Sequence, residues 1–355
     1  MKLYISKLHY KKNPTIWEKT VIFFLWLLSI PYDMITSVRN FLYDKNLIKI
    51  YNPKVLTIAV GNLTTGGVGK TPFTAELANF YVKKLKKVAV LSRGYGGSLS
   101  NKEVNVISDG QKIYYDAKQA GDEPFWIASN CPSVVVLTCS SRAKAAEKAI
   151  KDLNCDVLIA DDAFQHRKLG RHINIVLVDK TNKFGNEYLL PAGPLREDLS
   201  GMKRADVVVV TNKSASDDEA LKYCDEIKYK FKKPVFMCKM IPIGAYNINN
   251  NDSLYAGATV LAFCAIGQPK EFFEFVKKDY YMQTEMTFPD HHSYTDEDMK
   301  LILETAEKSN VSKIITTEKD AVKIKELIGK FKTDIKAYAL KLGSYADIED
   351  IVNVK

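Results

Sequence analysis

Leu56-Thr-Ile-Ala-Val-Gly61-Asn-Leu-Thr-Thr-Gly66-Gly-Val-Gly69-Lys-Thr71-Pro72 decides how the chain is read. Leu56–Val60 is an uncharged run of strand length, the pattern of a strand buried on both faces. Glycines follow it, and Lys70-Thr71-Pro72 opens a helical stretch in which proline suits the first turn. Strand, glycine loop and helix in that order form a phosphate-binding loop. Gly66, Gly67 and Gly69 let backbone N–H groups curl around phosphate oxygens, and the helix N-terminus adds its dipole to that anion site. Lys70 is placed to reach the β- and γ-phosphates of ATP, and the Thr71 hydroxyl to ligate Mg²⁺. The candidate nucleotide stretch is thus Thr64, Thr65, Gly66, Gly67, Val68, Gly69, Lys70 and Thr71.

Two relatives of this motif fit poorly. A guanine-binding Asn-Lys-x-Asp begins at Asn212-Lys213, but Ala215 stands where the aspartate belongs; partition-type ATPases carry a lysine where this chain has Thr65. One irregularity remains, since Thr64 occupies the position of the usual leading glycine.

Outward from the loop, strand-like runs recur at Val88–Leu91, Val134–Leu137, Val157–Ala160, Ile173–Val178 and Val207–Val210. Helical stretches lie between them near Thr71–Lys84, Lys118–Ala128, Arg142–Lys151 and Glu219–Lys230. The alternation predicts an α/β fold, a P-loop NTPase-like parallel sheet covered by helices. Residues 239–257 read as polar and non-periodic, so a junction is expected there, dividing a P-loop domain (51–240) from a smaller α/β domain (241–355).

Residues 1–54 hold nine Lys/Arg and three acids, six of the chain's nine net positive charges. Val21–Leu28 is wholly apolar but reaches only about half of the ~20 residues a spanning helix needs, and Pro31 follows. Residues 1–50 therefore read as a helical hairpin or bent helix in a membrane interface, anchored by Trp17 and Trp26, with a core helix as the alternative. The cationic charge suits an anionic membrane surface or substrate; no nucleic-acid motif accompanies it, and no obligate protein partner is evident. Six cysteines without a CxxC pair read as buried free thiols.

Further candidates flank the loop. Asp161-Asp162 ends a buried strand, where carboxylates hold Mg²⁺ or its waters, although the pair also suits a helix N-cap. Gln165, His166 and Arg167 follow. Arg93 sits in Ser92-Arg-Gly-Tyr-Gly-Gly97, Asp122 in Gly121-Asp-Glu-Pro124, Arg196 and Glu197 after a Pro/Gly loop, and Asp290-His291-His292 after Phe288-Pro289.

In order, GNLTTGGVGKTP, LSRGYGG, GDEP, DDAFQHRKL, LLPAGPLRE, AIGQPKEFF, FPDHHSYT and TTEKDAVKI span Gly61 to Ile324. This series resembles the tetraacyldisaccharide 4'-kinase family of lipid A synthesis, whose loop also has threonine in the leading position. The resemblance implies transfer of phosphate from ATP to the 4'-hydroxyl of lipid A disaccharide 1-phosphate at the cytoplasmic face of a Gram-negative inner membrane. It also implies that Asp122 and His291 form a proton-accepting pair. Asp161, Asp162 and Glu197 match metal-handling acids, and Arg93, Arg142, Gln165, His166 and Arg196 match phosphate- or substrate-facing positions.

Overall fold

The computed structural model describes residues 2–213, 216–267, 269–290 and 292–354. Twelve strands form one sheet: β1 Leu56–Gly61, β2 Val88–Ser92, β3 Asn105–Asp109, β4 Val135–Thr138, β5 Val157–Ala160, β6 Ile173–Asp179, β7 Val207–Asn212, β8 Val235–Asn247, β9 Thr259–Cys264, β10 Tyr281–Thr287, β11 Lys313–Thr317 and β12 Lys336–Tyr345. The helices are α1 Lys2–Leu8, α2 Ile16–Asp44, α3 Lys70–Lys83, α4 Ala117–Ala120, α5 Asp122–Asn130, α6 Arg142–Lys151, α7 Asp217–Phe231, α8 Pro269–Asp279, α9 Asp296–Lys308, α10 Glu318–Ile328 and α11 Ile348–Val352.

The strand order is β10-β9-β11-β12-β8-β7-β6-β1-β5-β2-β4-β3. All pairs are parallel except β3–β4 at one edge and β8–β12, where two parallel blocks meet. From Thr57 to Gly61, β1 is buried between β5 and β6, as its unbroken apolar sequence requires. Helices pack on both faces, giving separate cores around Ile58 and Phe73 on one side and Ala59 and Leu158 on the other.

Several expectations need correction. The stretch read as non-periodic from residue 239 begins inside β8, which runs on to Asn247. Its proline, Pro242, sits at the irregularity where Leu342 pairs with Pro242 and Lys341 with Gly244, a bulge that tolerates a residue without an N–H. The helix expected over Lys118–Ala128 is broken at Gly121, whose φ of 92° ends α4 and begins α5. Strands β3, β8 and β10 were not expected; β3 and β10 are edge strands without an uninterrupted apolar run, and β8 is a long strand only partly buried.

From Ile16 the N-terminal segment is one continuous helix, not a hairpin about Pro31. α2 runs for 29 residues straight through Pro31, opened by a capping box between Thr15 and Glu18. That is about 43 Å of helix, long and apolar enough to cross a membrane by length and composition. Its buried residues are Ser29, Thr36 and Tyr43, spaced by seven, so one narrow and largely polar stripe docks on the body. The opposite face carries Phe24, Leu28 and Ile35, each more than 60% exposed, beside Phe23, Met34, Val38 and Phe41. This inverts the arrangement of a surface helix in water.

Candidate functional site

The phosphate loop leaves β1 at Gly61 and enters α3 through Gly69, whose φ of 84° lies in the left-handed region. A Cβ at Gly69 would stand 2.5 Å from the Met240 sulfur, so both backbone and space demand glycine there. The leading half of the loop is laced to residues 194–196. Thr65 N–H donates to Pro194 O at 2.7 Å, Arg196 N–H donates to Leu63 O at 2.7 Å, and Thr64 bridges Leu195. The trailing half is held by Lys213 Nζ, which donates to Gly67 O, and Thr211 Oγ1, which donates to Val68 O at 3.0 Å. A cavity of about 240 Å³ opens beside it, lined by Asn212, Lys213, Ser216, Asp217 and Met240. Ser214 and Ala215, from the aborted guanine motif, lie outside the described residues.

Lys70 Nζ donates to Asn62 Oδ1 at 3.2 Å and lies 3.5 Å from Asp162. Thr71 is buried in the first turn of α3. Asp161 and Asp162 follow β5, and Asp162 has a φ of 47°. The chain turns there instead of starting a helix, so the N-cap reading of this pair falls. Asp161 is buried and accepts from Thr74 Oγ1 at 3.0 Å. Burial, then Glu123 and Asp162, push its carboxyl up to about 6, against Lys70 and Thr74. Burial also pushes Asp162 up, but Lys70, Arg196 and Arg142 outweigh it and hold that carboxyl at about 2. Arg196 Nη1 donates to both Asp162 oxygens, at 2.8 and 3.0 Å.

Asp122 and Glu123 open α5, and their partners come from the far end of the chain. Lys319 Nζ lies 2.8 Å from Glu123, and Lys323 Nζ 3.1 Å from Asp122, both from α10. Lys323 also donates to the His292 carbonyl at 3.3 Å, which ties the FPDHH loop to Asp122. His291 itself lies outside the described residues. His292 is committed elsewhere: its Nε2 is 2.8 Å from Asp298 and its ring stacks on Phe288. Thr317 caps α10, its side chain accepting from Asp320 N–H at 3.1 Å. The two acid pairs share one electrostatic site, for Glu123 feels Lys70 and Asp162, and Lys319 feels Asp122 and Asp161.

The remaining expected residues divide. Arg93 stands exposed on the glycine loop after β2. Arg142, expected to face phosphate, is buried and donates to the Cys139 and Asp161 carbonyls at 3.2 and 3.1 Å, so it braces the acid turn. Glu197, expected among the metal-handling acids, is also buried, and both its oxygens are taken by Arg204, Asn40 and Gln165. His166 has a buried Nε2 without a partner among the described residues. Burial and four surrounding cations, Arg142 foremost, lower it to about 4, so the ring is neutral at pH 7. Sequence reasoning did not single out Asn62, Glu123, Lys319 or Lys323. All four lay inside quoted motifs, but nothing local told what they would meet.

A largely parallel sheet, a glycine loop feeding a helix and acids on the neighbouring strand end define a P-loop nucleotide-binding protein. The model of the tetraacyldisaccharide-1-P 4'-kinase family matches residues 21–352. The tetraacyldisaccharide 4'-kinase of Halothermothrix orenii is 33% identical over 366 residues, covering 97% of this chain and 95% of its own. That of Pelobacter propionicus is 37% identical over 310 residues, covering 86% and 84%. A crystal structure of the Aquifex aeolicus family member, LpxK, in complex with ATP superposes with a TM-score of 0.70 at 30% identity, covering 92% and 95%. The chain belongs to the tetraacyldisaccharide 4'-kinase family, whose members phosphorylate a lipid A precursor at the 4' position.

Proposed function

We propose that the chain transfers the γ-phosphate of ATP to the 4'-hydroxyl of tetraacyldisaccharide 1-phosphate, with Asp122 accepting the hydroxyl proton. The observation that carries this is the convergence of Lys70 and Asp122–Glu123 on one acidic centre, reached from separate elements. In the transfer the sugar oxygen bonds to phosphorus, the bond from phosphorus to the β–γ bridging oxygen breaks, ADP leaves, and the proton passes to Asp122. Lys70 neutralises charge on the β- and γ-phosphates, and Arg196, beside Asp162, lies within reach of the same charge. The cavity beside Gly67–Gly69 receives the nucleoside.

The donors suit Mg²⁺, a hard cation that takes oxygen ligands. Asp161, buried with its carboxyl pushed up to about 6, is a group whose charged form a cation would stabilise. Thr71, Asp161 and Asp162 would hold the ion, and when bound it supplies neutralisation of phosphate charge; Glu197, whose two oxygens already accept from Arg204, Asn40 and Gln165, is left out of this set. His291 orients Asp122, and residues 241–355 act as the smaller domain whose approach completes the site.

The outward apolar face of α2 docks on the cytoplasmic leaflet of the inner membrane, leaving the acyl chains in the bilayer. A helix lying on the surface accounts for one polar stripe bound to protein and one apolar face bound to nothing. Labelled γ-phosphate should move from ATP to the purified disaccharide 1-phosphate; ATP turnover without labelled lipid would overturn the assignment. Phe24→Ser with Ile35→Ser should reduce co-flotation with anionic vesicles and raise KM for lipid, and unchanged flotation would remove α2 from membrane docking.

A further inference from the structure

The segment before α2 also touches the nucleotide site. Tyr10, in the connection between α1 and α2, donates its hydroxyl to Thr65 O at 2.6 Å. A Cβ on Gly66 would sit 3.5 Å from the same hydroxyl. Tyr10 is partly buried, and burial raises its phenol to about 12, so it remains a donor at any working pH. Thr65 is therefore gripped on both sides, its N–H by Pro194 O and its carbonyl by Tyr10.

The glycines between Thr65 and Val68 have no side chains to fix them. A Cβ on Gly67 would meet nothing within 4 Å. Their N–H directions are set by clamps at the two ends: Tyr10 and Pro194 in front, Lys213 and Thr211 behind. A phosphate site gains most when its donors are held in place before the ligand arrives.

Tyr10 is itself well anchored. Leu8 is buried, His9 Nε2 is 3.0 Å from Pro191 O, and Asn186 N–H donates to His9 O at 2.9 Å. The same 186–196 loop receives α2, through Ser29 to Leu189 O at 3.0 Å and Tyr32 to Arg196 O at 2.7 Å. One loop thus joins the apolar helix, Tyr10 and the phosphate loop.

We propose that Tyr10 is a positioning residue of the phosphate loop: by fixing the Thr65 carbonyl it orients the Gly66–Gly69 turn for ATP. The proposal rests on the P-loop reading above. Removing residues 1–50 consequently weakens ATP binding as well as membrane docking.

The test uses the full-length protein and the β,γ-methylene analogue of ATP with Mg²⁺, measured by calorimetry. Tyr10→Phe keeps the ring and loses only the hydrogen bond. Its Kd for the analogue and its KM for ATP should rise about 3- to 10-fold, the worth of one such bond. Its kcat at saturating substrates should stay within about twofold, and a melt should match the wild type, which separates positioning from general damage. Lys11→Ala breaks the exposed Lys11–Glu18 pair of the same connection without touching the contacts that anchor Tyr10, and should leave Kd within about twofold. An unchanged Kd in Tyr10→Phe, or an equal rise in Lys11→Ala, overturns the proposal. Lys70→Ala separates the two readings: if it loses the analogue while Tyr10→Phe keeps it, only the tyrosine's role falls. If neither variant moves Kd, the P-loop reading falls with it.

Discussion

Asp161–Asp162 and Asp122–Glu123 are both pairs of adjacent acids at the same phosphate loop, yet they are neutralised from different distances. The first pair meets Lys70 and Arg196, residues of the same parallel block. The second meets Lys319 and Lys323, and Glu123 and Lys319 are 196 residues apart in the chain. The first pair belongs to the site as soon as β1 and β5 lie side by side. The second acquires its partners only when α10, across the β8–β12 seam, comes down on α5. On the proposed assignment, nucleotide handling is built locally, while proton acceptance by Asp122 depends on both halves of the sheet.

The largest effect should fall on the local pair. Lys70→Ala removes the cation shared by the phosphates and Asp162, and should lower kcat by about 10³–10⁵, the range for charges set against a transferring phosphoryl group. Circular dichroism and melting should be nearly unchanged. Substantial transfer by the purified variant would show that the local pair is not the phosphate end of the site.

Asp122→Ala should follow, lowering kcat by about 10²–10⁴ with little change in ATP affinity. If His291 orients that carboxylate, His291→Ala has a similar cost and the double variant is little worse than the poorer single one. Fully additive losses would separate the two residues. His292→Ala should cost far less in kcat, because its ring is spent on Asp298 and Phe288.

The same contrast explains what was legible in the sequence. The loop is a local glycine pattern, β1 and the strands flanking it are short, largely apolar runs, and their order along the chain is a local property. The length of α2 was underestimated because the apolar run stops at Leu28 and Pro31 reads as a turn or bend, whereas the helix continues through it. Gly121 looked like one residue of a helix until its positive φ divided it. Arg142 and Glu197 are charged, and charge reads as exposed; only the packed structure shows Arg142 held inside by the Cys139 and Asp161 carbonyls and Glu197 by Arg204, Asn40 and Gln165. The lysines of α10 carried no sign of their partners, since sheet order decides which helices meet.

Lys323→Met should produce a smaller loss, about 3- to 10-fold in kcat, with the ATP analogue bound normally. Its Nζ holds both Asp122 and the His292 carbonyl, and the Lys323 and Asp122 side chains are 16% and 23% exposed, so the pair is screened only in part. Single-turnover rates would separate chemistry from product release. A Lys323→Met enzyme as fast as wild type would mean that the second pair needs no help from the far half, and the contrast drawn above would lose its catalytic meaning.

The smallest effect tests the joint between α10 and α5 by pH. Glu318 opens α10 beside Lys319, and its carboxyl meets the Trp126 side chain of α5. Burial raises it from 4.5 to about 7, against Lys341, Trp126 and the Leu342 N–H, which lower it. The folded protein therefore holds this proton more tightly than the unfolded chain does. The stability so contributed is fully present below 4.5 and is lost as pH rises through about 7. Glu318→Gln keeps the neutral shape at every pH. Its Tm should match the wild type near pH 5 and exceed it by roughly 2–4 °C at pH 8, with transfer little affected at either. If the variant instead melts lower at pH 8, the charged carboxylate is what α5 requires, and the joint is ionic at Glu318 as it is at Lys319 and Lys323.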